Sequence, residues 1–279
     1  MTHTPVYLTE ALEALDVRTG ATYIDATLGE GGHFEQIVAG GGRVLGIDWD
    51  EDQVNARLAK TPNTDTVRVV QGNFADIARL ATDNEFSPAD GILFDFGLSF
   101  GQLQKGGIGL SYKYHEEPLD MRLSAAAEMT AADILNRASE DELYDVFAKN
   151  AEEIHAREVA RACVHWRKEY KFVQVGDFID AIDRAIPANP QKSYARLFQG
   201  LRIQVNDEFG AIRAGLAGAF QTLAPGGHMA ILSFHSLEDR IVKRFIKAED
   251  EAIAKSYKVL KKNGRKFERS ALLRVIIKK

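Results

Sequence analysis

A run of small and polar residues, Asp25-Ala26-Thr27-Leu28-Gly29-Glu30-Gly31-Gly32-His33, follows the apolar pair Tyr23-Ile24. It reads as a buried strand that ends in an acid and then turns through glycines into a helix. Backbone N–H groups in such a turn approach a ligand without interference from Cβ atoms, and the helix that follows offers its positive end. The chemistry is the grip on a nucleotide-like cofactor; taken alone, the same residues also describe a tight strand-to-helix turn. Asp48 ends the next strand in Gly46-Ile47-Asp48, where an acid can accept hydrogen bonds from both ribose hydroxyls of an adenosine. Phe74, after Gly72-Asn73, either lies against an adenine face, with Asn73 or Asp76 at the exocyclic amine, or packs in the core. Asp95 ends the run Ile92-Leu93-Phe94, where a carboxylate is costly to bury without partners, and this points to a functional role.

Nicotinamide dinucleotides and S-adenosylmethionine share the ribose-binding acid. A dinucleotide site uses G-x-G-x-x-G to seat its pyrophosphate. Here the glycines fall at 29, 31 and 32, followed by His33, with Asp25 four residues upstream of Gly29. A carboxylate near the turn repels a pyrophosphate and suits a ligand carrying an ammonium and a sulfonium. The spacing favours S-adenosylmethionine over the cofactor of a nicotinamide-dependent oxidoreductase. Asp25 itself either faces that ligand or hydrogen-bonds the loop backbone.

Only a parallel sheet brings these residues to one edge. Strand patterns occur at 23–26, 44–48, 67–70 and 91–96, with helices from about His33 and over 51–59, the second ended by Thr61-Pro62. Leu8, Leu12 and Leu15 place a short amphipathic helix before the first strand. The alternation predicts an α/β, doubly wound sheet whose strand ends carry the ligand. After Ser99 the pattern breaks into a loop with Gly101, Gly106, Gly107 and Gly109, then a polar, alanine-rich helical stretch. Residues 101–192 are read as a helical insertion closed by Pro187-Ala188-Asn189-Pro190, leaving 1–100 and 193–279 as a discontinuous catalytic domain. Leu197, Leu201, Val205, Phe209, Ile212, Leu216, Phe220 and Leu223 predict one long amphipathic helix packed on the sheet. A fifth strand follows at 229–234, then a helix from Ser236 with Asp239 as its capping-box partner, then a final strand at 272–277.

The 279 residues, 45 % apolar, support one full domain plus an insertion, since a single core stops growing near ~250 to 300 residues. Net charge is −5, but residues 243–279 hold thirteen Lys or Arg against four Asp or Glu, which leaves −14 elsewhere. A basic segment thus ends an acidic body. The single cysteine, Cys163, excludes a disulfide framework and a Cys-rich zinc site and fits a reducing cytoplasm. His115, His155 and His165 lack metal-ligand company, so no metal is expected. No apolar run approaches the ~18 residues of a membrane span, and the start lacks the basic and apolar regions of a signal peptide. The expected location is the cytoplasm.

At this level the chain resembles the ribosomal RNA small subunit methyltransferase H family (MraW-like). The matching segments are His3-Thr4-Pro5-Val6, Asp25 to His33, Gly46-Ile47-Asp48-Trp49-Asp50, Asp95-Phe96-Gly97-Leu98-Ser99 with Gln102-Leu103, and Pro118-Leu119-Asp120-Met121-Arg122. Two more follow, Phe198 to Glu208 and Ser233-Phe234-His235-Ser236-Leu237-Glu238-Asp239-Arg240-Ile241-Val242-Lys243. The resemblance implies a Rossmann-like S-adenosylmethionine-dependent methyltransferase fold with a helical insertion domain. It implies N4-methylation of a cytidine in the decoding region of 16S ribosomal RNA, with ribosomal RNA in the small subunit as partner. It also implies that Gly31, Gly32, His33, Asp48, Phe74, Asp95 and Gln102 contact the cofactor and that the insertion helps hold RNA. Departures from the family pattern are Gly109-Leu110-Ser111-Tyr112 for Gly-Phe-Ser-Phe, Phe100-Gly101 for Ser-Pro, and a shorter region before Arg269.

Methyl transfer from a sulfonium is an in-line displacement, so the protein mainly supplies proximity and alignment. A cytosine amine is a poor nucleophile because its lone pair is delocalised, and an acceptor for its N–H helps the new bond form. Asp95 is the expected catalytic acceptor, with Ser99 as second choice. The target base must swing out of folded RNA, whose phosphates the basic C-terminal segment and Arg122 are placed to grip. Gln199, Arg202 and Asn206 form one polar stripe at i, i+3 and i+7. With Asp120, Arg122 and His235, the residues Arg202 and Asn206 make the substrate-side set. A non-catalytic RNA-binding assembly factor on the same fold is the reading from another class; the intact Gly31-Gly32-His33, Asp48 and Asp95 set argues against it.

Overall fold

Alternating burial along the strands gives a sheet two apolar faces, and helices cover both. In the computed structural model, which describes residues 5–96, 106–124, 127–250, 252–257 and 271–279, the chain divides into two units, 1–99 with 209–279 and 100–208. The first unit opens with α1 (Leu8–Leu15), β1 (Thr22–Asp25), α2 (Gly32–Ala39), β2 (Arg43–Asp48), α3 (Glu51–Lys60), β3 (Val67–Gln71), a 3-10 turn (Phe74–Asp76), α4 (Ile77–Asp83) and β4 (Ala89–Asp95). The second contains α5 (Ala131–Arg137), α6 (Glu140–Asp145), a π-helical turn (Val146–Asn150), α7 (Ala156–Trp166), α8 (Val175–Ala185) and α9 (Gln191–Asn206). The chain then completes the first unit through α10 (Glu208–Thr222), β5 (Leu223–Ser233), α11 (Ser236–Ala248), β6 (Ala252–Tyr257) and β7 (Leu272–Lys278).

The sheet has the order β3-β2-β1-β4-β5-β7-β6, parallel from β3 through β5, with β7 antiparallel to β5 and β6 antiparallel to β7. Tyr23, Val44, Leu93, Leu232 and Val275 pack with α1, α2 and α3 on one face. Ile24, Leu45, Ile92, Phe94, Ile231 and Ile276 pack with α4, α10 and Val242 of α11 on the other. The period of two along each strand sorts these residues, as the sequence pattern requires. In the second unit, Leu135, Leu143, Phe147, Val159, Cys163, Phe178, Leu197 and Leu201 form a separate core. Burial pushes the Cys163 thiol pKa up, so it is a packing residue.

Four expectations change. The helix expected over 197–223 is two helices, because Asp207 adopts a left-handed conformation with φ 43° between α9 and α10. Leu197, Leu201 and Val205 belong to the core of the second unit, whereas Ile212, Leu216 and Phe220 cover the sheet. The break at 192/193 therefore falls inside α9, and the second unit runs to 208. The stretch after α11 supplies an additional strand, β6, at the sheet edge. The capping box of α11 uses His235 as N-cap and Glu238, with Asp239 one position further on.

Candidate active site at the carboxyl edge of the sheet

β1 lies between β2 and β4, with Asp25 in register with Gly46 on one side and Leu93 on the other. The chain leaves β1 toward β2 and β3 in one direction and returns to β4 and β5 in the other. The carboxyl ends of strands at such a reversal open a crevice, and here they carry Asp25, Asp48 and Asp95.

The glycine turn is built by backbone and held by Asp48. Gly31, the N-cap of α2, has φ 84°, which a residue with a Cβ rarely adopts. The Gly29 N–H donates to Asp48 Oδ2 at 2.7 Å, and the Asp50 N–H donates to Oδ1 at 2.9 Å. A carboxylate has about four acceptor positions, so each oxygen keeps room for a ribose hydroxyl. Burial raises the pKa of Asp48 and these N–H groups oppose the shift. Gly32 has a different reason to be small, because a Cβ there would run into the Pro5 ring.

Asp25 is 1 % exposed and accepts the Thr27 N–H at 3.3 Å, which is the loop-backbone reading of this residue. Burial, reinforced by Asp95 and Asp48, pushes its pKa up to about 7 against the opposing Thr27 hydrogen bond. His33 is also buried, with Nδ1 at 4.0 Å from Asp95 Oδ2. Burial pushes its pKa down to about 4, partly offset by the Val6 backbone, so the ring is neutral at neutral pH. His33 Nε2 is buried without a hydrogen-bond partner among the described residues. An orphaned polar atom beside a glycine cradle and three carboxylates is what a polar, positively charged ligand would satisfy.

Asp95 is fixed through its backbone, whose N–H donates to Thr27 Oγ1 at 2.6 Å, while its side chain is partly exposed. Phe74 packs in the core and keeps part of its ring exposed. It meets Phe94 edge-on at 5.7 Å and Phe96 at 5.9 Å and is backed by Gly215, where a Cβ would come within 2.7 Å of the ring, yet it stays part-exposed. Asn73 is occupied in capping the 3-10 turn through the Ala75 N–H, and Asp76 pairs with Arg79. Gln102 and Ser99 lie outside the described residues.

His235 follows β5, and its Nε2 lies 2.9 Å from Glu238 Oε1. Glu238 Oε2 accepts the N–H groups of Phe234 at 2.7 Å and His235 at 3.3 Å. The other substrate-side residues assemble in the second unit. Arg122 donates in a fork to Asp120 at 2.7 and 2.9 Å, and Arg202 does the same to Glu208 at 2.6 and 3.0 Å. Buried Asn206 accepts the Leu123 N–H at 2.9 Å and donates to the carbonyls of Met121 and Arg202, both at 2.9 Å. It thereby holds a turn in which Met121 has φ 61°.

Thr27, Arg57 and Glu238 were not singled out from the sequence. Arg57 is buried, pairs with Glu35, and stacks 4.9 Å over Phe34 beneath the glycine turn. Nothing in its local pattern marks it, because the contact needs α3 packed beside α2. Thr27 had a signal, a hydroxyl two residues after the strand-ending acid.

The model of the MraW methylase family matches residues 1–279. The chain is 42 % identical over 252 residues to a ribosomal RNA small subunit methyltransferase H of Symbiobacterium thermophilum, covering 87 % of this chain and 78 % of the relative. It is 38 % identical over 289 residues to one of Dictyoglomus thermophilum, covering 98 % and 95 %. A crystal structure from Clostridium thermocellum described as an rRNA methylase superposes over the full length of both chains with a TM-score of 0.50 at 12 % identity, a likeness of fold. No helix among the described residues is long and apolar enough to cross a membrane.

Proposed function

The chain belongs to the MraW methylase family, and from that premise we propose that it transfers a methyl group from S-adenosylmethionine to the exocyclic N4 of a cytidine in the decoding region of small-subunit ribosomal RNA. The observation that carries the cofactor reading is the tie between Gly29 N–H and Asp48, which presents a strand-end acid to a ribose beside left-handed glycines. Asp25 and Asp95 make the same edge attractive to a cation and hostile to a pyrophosphate.

Bound S-adenosylmethionine supplies an electrophilic methyl on a sulfonium. The chain's residues then have three tasks. Gly31, Gly32, His33 and Asp48 hold the nucleoside and amino-acid ends, and Phe74 flanks the base. Asp95 accepts a hydrogen bond from the attacking amine, keeping density on nitrogen while the N–C bond forms and the S–C bond breaks. Asp95 would then take up the amine proton through that hydrogen bond once the new N–C bond has formed. Asp120, Arg122, Arg202, Asn206 and His235 form or support the RNA side, with Gln102 as a further cofactor contact. The setting is the cytoplasm, where small subunits are assembled.

The decisive test uses small subunits from cells lacking the activity, incubated with the purified protein and labelled S-adenosylmethionine. The expected result is label on one cytidine N4 in the decoding region. Label elsewhere redefines the target, and absence of label from RNA and subunits rejects the reading.

A further inference from the structure

We propose that the outward face of α11 is a track for the RNA phosphate backbone. Arg240, Lys243, Arg244 and Lys247 are all exposed and fall at i, i+3, i+4 and i+7, on one side of the helix. They span about 10 Å of helix axis at ~1.5 Å per residue, enough for more than one phosphate of a strand. The opposite side is fixed inward, with Leu237 and Val242 buried and Phe245 edge-on to Phe220 at 5.9 Å.

The helix also has acids, and their placement separates this face from an ordinary mixed surface. Glu238 and Asp239 are 2 % and 4 % exposed. Glu238 caps the helix, and Asp239 is held by Arg274 at 2.5 Å and Lys243 at 2.8 Å. The exposed side therefore presents Arg244 and Lys247, flanked by Arg240 and by Lys243, whose charge Asp239 already engages, and the helix itself adds no exposed carboxylate. Elsewhere in the same unit the balance is reversed, since residues 1–99 carry sixteen Asp or Glu and six Lys or Arg. A polyanion is repelled there and attracted here.

Position links the face to the chemistry. Asp95 pairs in register with Leu232 of β5, and α11 begins four residues after Leu232, so the track starts at the edge that carries Asp95. A strand gripped along α11 would be read by charge and spacing, without sequence information.

The inference rests on the RNA-methyltransferase reading, and the experiment separates the two. The variants are R244A/K247A and R244E/K247E, which leave the caps, Asp239 and the strand ends untouched. Binding of a small-subunit RNA fragment is measured from 50 to 300 mM KCl, alongside S-adenosylmethionine affinity, thermal melting and methylation of small subunits. With both cations neutralised, the slope of log K against log salt should fall by about 1.4, which is ~0.7 for each single-strand phosphate contact. KM for the RNA substrate should rise about tenfold, with kcat, cofactor affinity and melting unchanged. A salt slope and KM unchanged even in R244E/K247E overturn the track, as does charge-dependent binding to anionic vesicles but not to RNA. Failure of the wild-type protein to methylate any RNA overturns the functional reading instead, while the salt slope judges the track separately.

Discussion

The two polar constellations of this molecule treat their partners in opposite ways. In the second unit, Asp120 and Arg122 complete each other, which lowers one pKa and raises the other, and Asn206 directs its amide at three backbone groups. At the sheet edge of the first unit, Asp25 and Asp48 are held by backbone N–H groups and their pKa values rise; among the described residues no cation pairs with either, and His33 Nε2 has no hydrogen-bond partner. Mutual satisfaction makes a scaffold; incomplete satisfaction in a buried crevice makes a receptor. The contrast separates the segment around Asp120, which shapes a turn, from the segment around Gly31, to which the proposed function assigns the cofactor.

The largest effect expected from this contrast is on stability. Asn206→Ala leaves the Leu123 N–H and two carbonyls without their buried partner and should cost about 3 kcal/mol. Thermal or urea denaturation reads this, and S-adenosylmethionine affinity should stay the same. An unchanged melting temperature would show that the amide is not structural.

Next comes Asp48→Ala, which should weaken S-adenosylmethionine binding by ~1.5 to 3 kcal/mol, the range for hydrogen bonds to a charged group. Calorimetric titration measures it. Affinity equal to wild type would place the ribose elsewhere and dissolve the distinction between receptor and scaffold.

The smallest effect sharpens the electrostatics. With the Asp25 pKa raised to about 7 from 3.8, the folded chain keeps a proton that the unfolded chain has released between those pH values. The stability this contributes is full below the unfolded pKa and is lost as pH rises through the folded one. Asp25→Asn should remove that slope, so that its stability relative to wild type grows steadily from pH 5 to pH 8. His33 has the opposite sign, gaining stability as pH rises from about 4 to 6.5, so the difference between wild type and variant isolates Asp25. Denaturation curves at pH 5, 6, 7 and 8 check it, and parallel pH profiles for the two proteins would refute it.

Much of this sheet edge was legible in the sequence because strand ends are local. A short apolar run closed by Asp25, Asp48 or Asp95 states both the strand and its exit, and the glycines after Asp25 state the turn. The helix break at Asp207 was not legible. The apolar period of three to four residues continues across it, so Leu201 and Leu216 read alike although they serve different cores. Equally, the spacing of Gln199, Arg202 and Asn206 reads as one stripe, yet Asn206 is buried against the 121–123 turn.

By itself the sequence determined the alternation of strands and helices, the acids that end the strands, and a basic C-terminal segment on an acidic chain, because each of these depends on neighbours within a few residues. Tertiary structure alone decided which carboxylates are held by backbone N–H groups, which arginine lies under the glycine turn, and which face of α11 its acids abandon. Those outcomes depend on groups far apart in the chain meeting where water is excluded, and burial, not residue type, sets the cost of each charge.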